Sequence, residues 1–164
     1  MPQLELVKGE PPKPEPIIIL DAGPLGIISN PKATPENQMA RALLNQWLSR
    51  GAAVVVPQIA DYEVRRELLR AGKSTGIARL DALRAKLTFW PITPEAIERA
   101  AHLWAWARRQ GHPATSNAAL DADMILIAQA EETAQARDAP IVIATGNVRH
   151  LTPFANVRQW QDVR

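Results

Sequence analysis

Three acidic residues occupy positions where a parallel α/β sheet would place a functional site. Asp21 directly follows the apolar run 17–20, Glu63 lies early in a predicted helix, and Asp123 heads an apolar helical stretch. The carboxyl ends of parallel strands and the N-termini of the helices that follow them meet at one edge of such a sheet. We therefore expect these carboxylates to share a cleft, with Asn147 beside them after the last buried strand.

Carboxylates gathered in one cleft repel each other, and their pKa values rise unless a cation neutralises them. A cluster that offers only oxygen ligands suits a hard ion such as Mg²⁺ or Mn²⁺. Ions of this kind activate water and stabilise the charge that builds on a phosphoryl group. The three histidines have no metal-ligand spacing, and the chain has no cysteine, which excludes disulfides, thiolate zinc sites and cysteine nucleophiles.

The stretch 120–130 presents two acids in front of a nearly unbroken apolar run. Two helical steps turn Asp121 and Asp123 by about 200° relative to each other, so the two carboxylates face different sides of one helix. We predict that Asp123 is the ligand and that Asp121 is the N-cap, with Leu120 and Ile125 packing across it as a hydrophobic staple. The alternative, in which Asp121 turns inward as a further metal ligand, stays open.

Each of the other candidate residues also has a purely structural interpretation. Asp21 could cap a turn, although an acid after four buried apolar residues is uncommon. Glu63 could be a solvated helix residue paired with Arg66. Asn147 could cap a turn, or it could bind metal or substrate directly or through water.

The surrounding pattern predicts short buried strands that alternate with helices, which is typical of a parallel sheet covered on both faces. The predicted strands are 17–20, 53–57, 88–92, 139–147 and 156–160, and the predicted helices are 39–50, 59–70, 80–87, 94–110 and the stretch after 121. Residues 22–26 are predicted to turn the chain, and Met39 is expected on the apolar side of its helix. Trp104 and Trp106 lie on opposite sides of the predicted helix 94–110, so one of them is expected in the core. The other could stack on a base or pack against a protein partner.

Length and composition predict an ordinary water-soluble domain. The chain has 164 residues, 46% of them hydrophobic, a formal charge of +2 and a pI near 9.3, and no apolar run approaches the ~20 residues that span a bilayer. Residues 1–16 contain five prolines and are predicted to form a flexible arm outside a single domain, 17–164. We see no signal peptide and expect a cytoplasmic protein without membrane contact.

Taken together, four motifs resemble the PIN-domain family, and especially the small VapC-type toxin ribonucleases. In order along the chain they are Ile-Ile-Ile-Leu-Asp21, Tyr62-Glu63-Val64-Arg65-Arg66-Glu67-Leu68, Asp123-Met-Ile-Leu-Ile-Ala-Gln-Ala130 and Ile-Val-Ile-Ala-Thr145-Gly-Asn147. The match covers about residues 17–160. The resemblance rests on all four motifs together, which occur in the family's order and at fitting distances.

The resemblance implies a three-layer α/β/α sandwich around a central parallel sheet of four to five strands. It also implies a Mg²⁺- or Mn²⁺-dependent endoribonuclease that forms a homodimer and is blocked by an antitoxin. Asp21, Glu63 and Asp123 would hold the metal, with Asn147 in a fourth position where many members have Asp. Gly23 replaces the Ser or Thr that usually stands two places after the first acid.

The leading hypothesis is therefore metal-dependent hydrolysis of RNA phosphodiester bonds, with Thr145 and Arg149 as substrate-binding residues. Gly23 and Asn147 motivate an alternative, a catalytically weak or inactive PIN-fold module that binds nucleic acid or protein. A third interpretation, Asp21 as a phospho-acceptor of the receiver type, requires a lysine after a late strand. The last buried strand ends in Thr-Gly-Asn, so this interpretation is disfavoured.

Overall fold

A computed structural model describes residues 11–112 and 116–164 of the chain. The strands are β1 (Ile17–Leu20), β2 (Val54–Pro57), β3 (Thr88–Trp90), β4 (Ile141–Thr145) and β5 (Val157–Gln159). The helices are α1 (Ala22–Ser29), α2 (Pro35–Ser49), α3 (Gln58–Arg70), α4 (Ser74–Lys86), α5 (Pro94–Arg109), α6 (Asn117–Arg137) and α7 (Val148–Leu151), and a 3₁₀ turn follows at Trp160–Asp162.

The five strands form one sheet in the order β3-β2-β1-β4-β5, and every neighbouring pair is parallel. The register pairs Ile18 with Val54 on one side of β1 and with Val142 on the other. The predicted α/β sandwich with a central parallel sheet of four to five strands is thus confirmed, with five strands.

The core is divided between the two faces of this sheet. Side chains alternate along β1, so that Ile18 and Leu20 face one layer while Ile17 and Ile19 face the other. The first layer is covered by α1, α2, α3 and α4, and the second by α5, α6 and α7. Because β1 is covered on both sides, its sequence is apolar at every position rather than alternating.

The strand order creates a topological switch between β1 and β4. The chain leaves β1 towards α1 on one face of the sheet and leaves β4 towards α7 on the other face. Open α/β sheets bind their ligands in the crevice outside the carboxyl ends of two such strands. The fold therefore places Asp21, the residue after β1, in that crevice.

Several predicted element boundaries are wrong. Residues 22–26 lie in helix α1 rather than in a turn, because Pro24 falls within the first helical turn, where its missing N–H is tolerated. Helix α2 begins at Pro35, capped by Thr34, four residues before the predicted start. Met39 is 51% exposed, since Ala40, Leu44 and Trp47 form the buried side of that helix.

The predicted N-terminal arm is described only in part, since residues 1–10 lie outside the described residues. Residues 11–16 form no helix or strand and are mostly exposed, and the Glu15 carboxylate lies 3.4 Å from the Arg50 guanidinium. In the described ranges, no helix combines the length and the apolar character needed to cross a membrane.

Candidate active site

Asp21 is held rigidly at the junction of β1 and α1. It is the N-cap of α1, and its Oδ1 accepts a hydrogen bond from the backbone N–H of Ala22 at 2.7 Å. Its Oδ2 accepts from the Thr145 hydroxyl at 2.7 Å. Burial raises the pKa of Asp21, and these two hydrogen bonds partly offset the rise. Asp21 therefore caps a helix and also presents a fixed carboxylate to the crevice.

Glu63 approaches the same crevice from the second turn of α3, which begins directly after β2. Burial raises the pKa of this carboxyl, and repulsion from Asp21 raises it further, while Arg66 lowers it. The Arg66 guanidinium is 3.9 Å from the Glu63 carboxylate, and Arg66 also lies over the Tyr62 ring at 5.3 Å. A contact of this length is weak, so Glu63 keeps the capacity to bind another cation.

Asp123 reaches the crevice from α6, more than one turn past the start of the helix. Burial, together with repulsion by Asp21 and then by Glu63, raises the pKa of Asp123 to about 7. The residues that follow it, Leu126, Ile127 and Ala130, are buried and anchor the helix on the sheet. The core thus fixes the position of a carboxylate that is costly to ionise.

The three carboxylates interact electrostatically, although they come from separate elements. Asp21 raises the pKa of both Glu63 and Asp123. Across residues 11–112 and 116–164, no three His, Cys, Asp or Glu side chains are already drawn together as a ligand group. Like charges resist close approach when no cation is present to neutralise them. Three partly buried carboxylates with only oxygen donors fit Mg²⁺ or Mn²⁺, and such an ion would remove their mutual repulsion.

A chain of hydrogen bonds connects the end of β4 to this cluster. The backbone N–H of Asn147 donates to the Thr145 hydroxyl at 2.9 Å, and that hydroxyl donates in turn to Asp21. Thr145 is fully buried, so the structure gives it a positioning role instead of the predicted contact with substrate. Asn147 is the exposed N-cap of α7 and makes no side-chain capping bond, and Arg149 is exposed in that helix.

The predicted role of Asp121 as an N-cap is wrong. Helix α6 begins at Asn117, and the Ser116 side chain caps it by accepting from the N–H of Ala119 at 3.1 Å. Asp121 is exposed and lines a groove against α5 with Trp104 and its neighbours, so the structure does not bring it to the acidic cluster. The sequence signal for the true start is Ser116, which stands three residues before Ala119.

A buried amide, which the sequence motifs did not indicate, fixes α6 in place. Gln129 is fully buried; its Oε1 accepts from the N–H of Ile59 at 3.1 Å, and its Nε2 donates to the carbonyl of Trp90 at 2.8 Å. These bonds connect α6 to the start of α3 and to the end of β3. Because Asp123 and Glu63 lie on α6 and α3, Gln129 sets the relative position of the helices that carry them.

The chain belongs to the PIN domain family, because the model of that family matches residues 32–149, nearly three quarters of the sequence. The matched segment includes Glu63, Asp123 and Asn147, whereas Asp21 and β1 precede it. No curated protein sequence matches the chain significantly.

Several solved structures share the fold at low sequence identity. VapBC2 from Rickettsia felis, bound to a DNA fragment from its promoter, is 14% identical with a TM-score of 0.65, covering 87% of this chain and 97% of that one. FitAcB from Neisseria gonorrhoeae is 15% identical with a TM-score of 0.63, covering 89% and 99%. VapC20 from Mycobacterium tuberculosis, a toxin that cleaves the sarcin–ricin loop, is 19% identical with a TM-score of 0.59, covering 86% and 98%.

Proposed function

We propose that the protein is a Mg²⁺- or Mn²⁺-dependent endoribonuclease whose metal is held by Asp21, Glu63 and Asp123. The observation that carries the proposal is the electrostatic coupling of three carboxylates from three separate elements beside the β1–β4 switch. Folding such a cluster is costly without a cation, and residues with perturbed pKa values in a crevice are candidates for function. The PIN fold supports phosphodiester hydrolysis as the chemistry.

The residues around the cluster have distinct roles in this proposal. A bound divalent ion would supply positive charge that polarises water and a phosphoryl oxygen. The Thr145 hydroxyl and the Ala22 N–H fix the orientation of Asp21 before substrate arrives. The exposed Arg149 would hold a phosphate of the RNA backbone, and Asn147 would contact metal or substrate through its uncommitted amide. Hydrolysis places the water's hydroxyl on phosphorus, breaks the P–O ester bond and leaves a proton on the departing ribose oxygen.

We also propose that the protein is the toxin of a toxin–antitoxin pair and acts as a homodimer. The solved VapBC2 and FitAcB structures of similar fold support an antitoxin partner, and cleavage of the sarcin–ricin loop by VapC20 supports RNA as substrate. A groove of about 510 Å³ between α1 and α3 contains Glu63 and Arg66 in its lining and offers an antitoxin access to the cluster. Co-expression with a small protein encoded next to this chain should yield a complex in which RNA cleavage is suppressed.

The mechanism is tested by cleavage of RNA in Mn²⁺ with matched acidic variants. D21N and D123N should each lose more than about a hundredfold in rate, because each removes one charged ligand while preserving shape. D121N is the control, since Asp121 lies on the same helix but faces α5, and it should keep near-normal activity. Full activity in both D21N and D123N would refute the mechanism. If the unmodified protein neither cleaves RNA nor binds millimolar Mn²⁺, the non-catalytic alternative is favoured.

A further inference from the structure

Four aromatic rings form a continuous row on the layer of the molecule that contains α5 and α7. Trp106 meets Phe154 edge-to-face with 5.4 Å between ring centroids, and Phe154 meets His112 in the same way at 5.2 Å. His112 in turn meets His150 at 6.3 Å with the ring planes almost perpendicular. We call these four residues the aromatic row.

The aromatic row begins at the rim of the candidate active site. His150 lies in α7, less than one helical turn after Asn147, the residue whose backbone N–H is linked through Thr145 to Asp21. From there the row extends to Trp106 near the C-terminal end of α5. A strand whose phosphate occupies the acidic cluster could therefore continue along these rings.

The exposure and charge of the aromatic row suit a nucleic acid. Trp106 is 42% exposed, although its ring has an aromatic neighbour that could have covered it. Arg109 follows three positions later, on the same side of α5, and both it and Arg149 are exposed. Within the described part of the chain neither arginine forms an ion pair.

We propose that the aromatic row is a stacking platform for unpaired bases of the RNA, an inference that rests on the proposed ribonuclease function. Single-stranded nucleic acids bind where aromatic rings alternate with positive charge, because every base offers a π-face and every linkage offers a phosphate. Phe154 contacts two other rings edge-to-face, and this packing explains an aromatic residue at that position as part of the structure. The same packing does not explain why Trp106 remains exposed to solvent. In the proposal, Trp106 is the residue at the outer end of the platform that contacts a base.

The test measures binding of an oligouridine RNA of about 12 nucleotides by fluorescence anisotropy in EDTA, where cleavage cannot occur. W106L removes the ring and W106F keeps one. I97A is the control, because Ile97 is 47% exposed on the same helix but at its opposite end. The expected loss of affinity is about five- to 150-fold for W106L, from the usual contribution of one stacked base. W106F and I97A should each stay within about threefold of the unmodified protein.

A second probe separates stacking from charge. An RNA of the same length whose sugars carry no bases keeps every phosphate, so its affinity should be the same for W106L and the unmodified protein. Equal affinity of the two proteins for oligouridine would overturn the proposal, and so would an equal loss for both probes. If W106L instead converts a dimer to a monomer in sedimentation without changing RNA affinity, the patch is an interface between copies and the platform is refuted.

The binding test and the cleavage test fail independently. If D21N and D123N retain cleavage while W106L still loses oligouridine affinity, the metal mechanism fails and the platform stands. If the acids are required but W106L binds normally, only the platform fails. In the active enzyme W106L should raise KM while leaving kcat within about twofold, since base stacking is made equally in the ground and transition states.

Discussion

Neutralising Asp123 should make the metal-free protein more stable. Burial and two neighbouring carboxylates raise the pKa of Asp123 from its ordinary value of 3.8 to about 7, so the folded protein holds this proton more tightly than the unfolded chain does. Stability therefore falls as pH rises from about 4 to about 7, and the full penalty persists above that range. D123N cannot ionise and avoids the penalty.

The size of the effect follows from the two pKa values. At about 1.36 kcal/mol for each pKa unit, the rise from 3.8 to about 7 corresponds to about 4 kcal/mol. The side chain is only partly buried, so solvent screening reduces this, and we expect about 2 kcal/mol at pH 8. For a chain of this length that is a rise of about 4–8 °C in Tm.

The assay is urea denaturation in EDTA at pH 4.5 and pH 8. D123N should exceed the unmodified protein by about 2 kcal/mol at pH 8 and by much less at pH 4.5. D121N is the matched control on the same helix, and because Asp121 is exposed its effect should stay within about 0.5 kcal/mol. Equal or lower stability of D123N at pH 8 would refute the claim that the cluster is strained without metal.

Three further substitutions test the surroundings of the cluster. T145V removes the hydroxyl that donates to Asp21 and lowers its pKa. The acidic limb of the pH–rate profile should therefore move to higher pH. An unchanged limb would contradict the positioning role of Thr145. G23S should fold, because the nearest atom to an added Cβ is 4.0 Å away. Its free energy of unfolding in urea should rise by about 0.5 kcal/mol, since serine is a better helix former than glycine. Marked destabilisation would show that α1 has no room for a side chain. R65L removes the two hydrogen bonds, of 2.9 and 3.0 Å, that the Arg65 guanidinium donates to the buried Asp61 carboxylate. The free energy of unfolding should fall by about 3 kcal/mol, because Asp61 is left as a buried charge without a partner. A fall of less than about 1 kcal/mol would mean that solvent replaces the pair.

The sheet could be predicted from the sequence because its strands have a local signature. Runs such as 17–20 and 141–145 are short, apolar and rich in β-branched residues. This pattern is typical of a strand that is buried on both faces. The same rule predicts that Asp21, Glu63 and Asp123 approach one crevice, since parallel strands deliver their carboxyl ends to one edge. The effect of Asp21 on the pKa values of Glu63 and Asp123 is consistent with that prediction.

The remaining features depend on contacts between distant residues or on competing local signals. The Gln129 amide is hydrogen-bonded to Ile59 and Trp90, which are 70 and 39 positions away in the sequence. The apolar residues next to Gln129 in the sequence predicted only that this part of the helix lies in the core. The start of α6 was misplaced because Asp121 is a good N-cap by type, whereas Ser116 holds that position. The aromatic row joins α5 to the segment around α7, and only the folded chain brings them together.

The central claim is that Asp21, Glu63 and Asp123 together bind one divalent ion. A crystal of the unmodified protein soaked in Mn²⁺ and measured at the manganese absorption edge tests it most directly. We predict an anomalous peak in the crevice between β1 and β4, with oxygen atoms of Asp21 and Asp123 at about 2.2 Å and Glu63 direct or through water. A fully soaked crystal with no peak there, or with a peak only at another group of residues, would contradict the account.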